Sequence, residues 1–115
     1  MNLKKIQFQG NRSDFLPTAK NSLLSLLSFM IQNPKVVIRV EGHVNGPGRS
    51  NSKSYQELSY SRALGVKEYL ITNGIDKNRI DFKGYGNSRM LFPRPQSIHQ
   101  ESANRRVEIK ILSYE

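Results

Sequence analysis

Short stretches that alternate apolar and polar residues are separated in this chain by longer stretches with helical spacing. That succession limits the fold more than any other feature. Residues 3–8, LKKIQF, set Ile6 and Phe8 on one side at period two and read as a strand. Leu23, Leu24, Leu27, Met30 and Ile31 recur at helical spacing. They predict an amphipathic helix over 16–32, with Pro17 in its first turn and Asn33-Pro34 stopping it. VVIRVE, 36–41, is β-branched and alternating, and reads as a second strand. A loop rich in Gly, Ser, Asn and Pro spans 42–53. A second helix then runs to about Asn73, with Leu58, Ala63, Val66, Tyr69 and Leu70 as its buried stripe and Gly74 as its left-handed cap. RIDFKGYG, 79–86, is a third strand. Residues 87–104, interrupted by Pro93 and Pro95, read as irregular. RRVEIKIL, 105–112, alternates Val107, Ile109 and Ile111 as the last strand. The expected order is β-α-β-α-β-β. Two helices that each bury one stripe must pack on one face of a four-stranded mixed sheet. The fold class is α+β, a two-layer sandwich.

A length of 115 residues suits one domain, taken as 1–115. The absence of cysteine excludes a disulfide framework, a CxxC redox site and a thiolate zinc site. His43 and His99 are the only histidines and lack metal-ligand spacing, so neither a metal nor another cofactor is expected. No serine sits in a GxSxG context, and the residues suggest no nucleophile–base pair. The chain reads as non-enzymatic. No apolar run approaches the ~20 residues of a membrane span. MNLKKIQFQG lacks the apolar core of a signal peptide, so a role outside the cytoplasm implies a processed fragment or an excised domain.

The formal net charge of +9, from 18 basic and 9 acidic residues, favours an anionic partner. Nucleic acid is the weaker choice. The basic residues are scattered, and the strand aromatics Phe8, Phe82 and Tyr85 lack the KGFGFV-type pattern of a stacking sheet. Neither glycine loop is a nucleotide motif: GPGRSNSKS has no GK[ST] ending, and GYGNSR lacks the third glycine.

The start of the second helix carries the clearest hint of a site. Ser54 with Glu57 forms a capping box. Ser59 is a second possible cap, one turn later, and would put Arg62 in the first helical turn. A cation there opposes the helix dipole unless an anion lies between them. Free N–H groups and a guanidinium fork would then clamp a carboxylate. The same spacing also fits an arginine paired with an acid from a strand or loop.

The blocks IRVEGHVN, LSYSRALGVKEYL, GI....RIDFKGYG and ANRRVEIKI together resemble the C-terminal domain of the OmpA family, over roughly residues 3 to 112. Relatives of that domain include the peptidoglycan-associated lipoprotein and the flagellar stator protein MotB. The resemblance implies the fold order given above. It also implies non-covalent binding of peptidoglycan, in the periplasm of a Gram-negative envelope, as the anchor of an outer-membrane or lipoprotein assembly. In the family, an arginine of the LSxxRA motif holds the carboxylate of stem-peptide diaminopimelate, and here that position is Arg62. An aspartate of the GHTD motif holds the ammonium, but here GHTD is GHVN, so Val44 and Asn45 stand in its place. Asn104 and Arg105 match the final block and are expected beside the same pocket. Ser59 and the helix start are expected to assist Arg62. Partners other than peptidoglycan would be envelope proteins. The alternative is an OmpA-fold interaction or scaffold domain whose pocket is weakened or lost, a reading that Val44, Asn45 and Tyr55 favour.

Overall fold

The computed structural model describes residues 6–114. Residues 3–5 of the expected first strand lie outside them. The elements are β1 (Ile6–Gln7), α1 (Lys20–Gln32), β2 (Val37–Gly42), α2 (Lys53–Thr72), β3 (Ile80–Gly84), α3 (Ile98–Asn104) and β4 (Arg106–Ser113). Short 3-10 turns at Pro17–Ala19 and Lys77–Arg79 lead into α1 and β3. The four strands form one mixed sheet in the order β1-β4-β2-β3. Strands β2 and β3 run parallel, joined through α2, and β4 is antiparallel to both β2 and β1.

Register explains the core. Ile38 lies between Ile80 and Ile111, and Val40 between Phe82 and Ile109. Side chains alternate across a strand, so these residues share one face. That face packs with Leu23, Leu26, Phe29 and Met30 of α1 and with Ala63, Val66 and Leu70 of α2 in a single cluster. The expected two-layer α+β sandwich is the architecture found.

One row further along the same face, the strands carry Gly42, paired with both Gly84 and Val107. A Cβ on Gly42 would stand 2.0 Å from the Ser59 carbonyl oxygen, and one on Gly84 would stand 2.5 Å from the Tyr60 nitrogen. Only glycine lets a helix backbone come so near a sheet. This close approach brings Ser59 and Arg62 down onto the strand ends.

Three elements differ from the expectations. The buried face of α1 is Leu23, Leu26, Phe29 and Met30, whereas Leu24 and Ile31 are exposed. The run LLSLLSFMI offers two overlapping stripes, and spacing alone does not choose between them. Residues 98–104, expected to be irregular, form α3. Ser97 caps it by accepting a hydrogen bond from the Gln100 N–H at 3.2 Å. Ile98, its large apolar residue, is exposed, so α3 shows no buried stripe that periodicity would detect. Finally, α2 begins at Lys53 and is capped by Ser52, not by Ser54 or Ser59. Its first turn is held by tertiary contacts. Tyr55 covers Gly46, and the Gln56 amide donates to the Gly84 carbonyl.

The Arg79 side chain closes the far end of α1. It donates to the carbonyls of Met30, Asn33 and Val36 at the exit of the helix; the Asn33 carbonyl also accepts from the Val36 N–H.

Candidate functional site

Arg62 sits in the third turn of α2, on the same stripe as Ser59, Ala63, Val66 and Leu70. It is 0% exposed and has the largest of the fully buried side chains. A buried guanidinium needs partners for its donors. Here they are backbone carbonyls: Nε donates to Arg12 at 2.9 Å, Nη1 to His43 at 2.8 Å and Nη2 to Gln9 at 2.9 Å. Two of those carbonyls come from a tight turn after β1, closed by the Arg12 N–H on the Gln9 carbonyl. Asn11 makes the turn in the left-handed region, at φ 59. The Phe8 ring lies under the guanidinium, 5.1 Å from Cζ to centroid. Burial, and secondarily the nearby Arg105, hold the Arg62 pKa down at about 10. It remains a cation at neutral pH.

Among the described residues, no acid pairs with that charge. Guanidinium has five N–H bonds. Three meet carbonyls, which leaves one on each Nη with no partner among the described residues. Arg62 lines a cavity of about 200 Å³, together with Asn45, Arg105, Asn11, Val44 and Tyr55 among others. Neither Asp nor Glu lines it among the described residues. Arg79 shows that gripping carbonyls alone is no sign of a ligand site. Arg62 differs in combining complete burial, two spare donors and a cavity.

The structure brings most of the expected site residues together. Val44 is buried and forms an apolar wall. Arg105 is half-buried, with Nε on the Phe8 carbonyl and Nη2 on Ser102 Oγ. Asn104 is fully buried and stands behind the cavity. Its Oδ1 accepts from the Phe92 N–H, and its Nδ2 donates both to the Phe92 carbonyl and to Asn45 Oδ1, the latter at 2.8 Å. Backbone groups of fixed polarity set which way the Asn104 amide points. That amide in turn requires Asn45 to present its oxygen to Asn104.

Ser59 is a correction. It lies mid-helix, not at a cap, and does not line the cavity. Its hydroxyl donates to the Gln56 carbonyl and accepts from the Gly86 N–H at 2.8 Å, tying α2 to the loop after β3. The expected help from helix-start N–H groups goes with it, because Arg62 is well inside α2. The signal was present in the sequence. Ser59 and Arg62 sit four and one residues before Ala63, on the apolar stripe itself.

Two supports had no counterpart in the sequence reading. One is the 9–12 turn. The other is Asn87, buried, whose Nδ2 donates to the carbonyls of Gly46 at 2.9 Å and Arg49 at 2.8 Å. It fixes the glycine-rich loop that follows Asn45. His43 is buried and stacks on Tyr85, with centroids 5.3 Å apart, and contributes its carbonyl to Arg62. No cluster of three or more His, Cys, Asp or Glu that could hold a metal occurs among the described residues.

Residues 7–105 match the sequence profile of the OmpA family. The chain belongs to the OmpA family. It is 32% identical over 108 residues to the outer membrane porin F of Pseudomonas fluorescens, across 92% of this chain and 32% of that protein. It thus spans about a third of that relative's length. Two solved structures share the OmpA-type fold with it. The C-terminal domain of Helicobacter pylori MotB superposes with a TM-score of 0.83 at 24% identity, covering 97% of this chain and 86% of that one. The peptidoglycan-associated lipoprotein of Burkholderia pseudomallei superposes with a TM-score of 0.81 at 16% identity, covering 93% and 88%.

Proposed function

We propose that this OmpA-family domain binds peptidoglycan without catalysing any reaction on it. It would work in the periplasm, anchoring an outer-membrane or lipoprotein assembly to the cell wall. Arg62 would hold a stem-peptide carboxylate, that of diaminopimelate, with Arg105 as a second cation and Val44 as the apolar wall. Asn45 would be the orienting polar neighbour and Asn104 its support. The observation that carries the reading is the Arg62 guanidinium: buried, charged, and, among the described residues, without an acid and with two donors left over beside a cavity. A carboxylate is the ligand that satisfies such donors through charge-assisted hydrogen bonds. That the same fold is found in the peptidoglycan-associated lipoprotein of Burkholderia pseudomallei supports the reading.

The test is co-sedimentation with purified sacculi, comparing wild type, Arg62→Ala and Arg105→Gln. Because Arg62 also braces the fold, soluble stem-peptide fragments of peptidoglycan are added to the wild type as a competitor that changes no residue. The proposal expects saturable pelleting, reduced by both substitutions and by the competitor. Absence of wild-type pelleting would overturn it in favour of an interaction or scaffold domain. The lack of any acid around the cavity among the described residues is the feature that favours that second reading.

A further inference from the structure

We infer that the cavity selects a carboxylate whose neighbouring amine carries no charge, being acylated or absent, over a free zwitterionic amino acid. This rests on the peptidoglycan reading and narrows its ligand. Arg62 and Arg105 both line the cavity, and they are near enough for Arg105 to depress the Arg62 pKa. An ammonium brought in beside a bound carboxylate would be a third cation there. Among the described residues, no carboxylate of the lining answers it.

Asn45 is the group placed to compensate, and its amide is turned the wrong way for that task. The Phe92 N–H and carbonyl fix the Asn104 amide, which then delivers its remaining N–H to Asn45 Oδ1. The Asn45 oxygen therefore already accepts one hydrogen bond, and whatever capacity it keeps is that of an uncharged acceptor. The end of the amide left without a partner among the described residues is the NH2, a donor. Arg62, Arg105 and Asn45 thus all present N–H groups, and none offers a charged acceptor. A stem-peptide diamino acid loses its ammonium when the amine is taken up in an amide link, while the carboxylate on the same carbon remains. Acylated positions of that kind are the chemistry this lining fits.

The experiment is an NMR titration with two soluble probes of equal chain length. Pimelate and meso-diaminopimelate differ only in the two ammonium groups. Dissociation constants are read from the Arg62 Nε resonance in wild type and in Asn45→Asp, and in wild type from the Asn45 side-chain amide as well. An aspartate at 45 would keep the hydrogen bond from Asn104 and add the missing negative charge. Wild type should bind pimelate about tenfold more tightly, and Asn45→Asp should shift the ratio toward diaminopimelate by about tenfold, the difference between neutral and charge-assisted bonds. Equal or tighter binding of diaminopimelate by wild type overturns the inference, as does the lack of any shift at these resonances. Sacculus pelleting under the same conditions separates the two claims. If pelleting persists, only the selectivity fails. If it is absent, the peptidoglycan reading fails as well.

Discussion

Replacing Arg62 by alanine removes three hydrogen bonds from a charged donor to the carbonyls of Gln9, Arg12 and His43. Bonds of that kind contribute ~1.5–3 kcal/mol each. Against them stands the burial of the charge. The fall of the Arg62 pKa from 12.5 to about 10 corresponds to ~3 kcal/mol. The sign is fixed. A base with a lowered folded pKa loses stability by staying charged, and that loss is present in full at any pH below about 10. The bonds outweigh it, so Arg62→Ala should destabilise the domain by roughly 4 kcal/mol, within a span of about 1.5–6. In a domain of this size that lowers Tm by roughly 10–20 °C. Thermal and urea melts followed by circular dichroism at neutral pH measure it. A Tm within about 3 °C of wild type would refute the reasoning, because the three carbonyls would then be as well served by water.

Three other outcomes follow from the same geometry. Gly42→Ala places a methyl 2.0 Å from the Ser59 carbonyl, so α2 must lift from the sheet; urea melts should show a loss of roughly 2–4 kcal/mol, and ligand affinity should fall with it. Asn104→Ala leaves the Phe92 N–H and carbonyl without partners, and amide exchange at Phe92 should accelerate by about tenfold or more, read by hydrogen-exchange NMR. Carboxylate binding needs a protonated Arg62 and an ionised ligand, so affinity measured against pH should be flat from about 5 to 9 and fall as pH rises through about 10.

The sheet was legible because each strand keeps one apolar face at period two, and pairing cannot slip without exposing it. Ile38, Val40, Ile80, Ile109 and Ile111 occupy the positions that alternation implies. Helix α1 was legible as a helix but not in its orientation, since apolar residues crowd more than one of its faces. Helix α3 was hidden by nearby prolines and by the lack of an apolar stripe, although Ser97 and Gln100 stand at capping-box spacing. At the site, the sequence indicated Arg62, Asn45, Val44 and Arg105 as neighbours. It did not indicate what surrounds the guanidinium. Carbonyl oxygens carry no side-chain signature, so the grip of Gln9, Arg12 and His43 on Arg62 leaves no trace in residue types. The Asn104 amide network is invisible for the same reason, and it decides which end of the Asn45 amide is engaged.

The central claim is that the spare N–H groups of Arg62 meet a stem-peptide carboxylate. The most direct measurement follows the Arg62 guanidinium resonances by NMR while soluble stem-peptide fragments of peptidoglycan are added. The account predicts saturable shifts of the Arg62 Nε and Nη signals, with Arg105 and Asn45 moving along the same binding curve. Saturable binding that moves other residues and leaves Arg62 unchanged would contradict it.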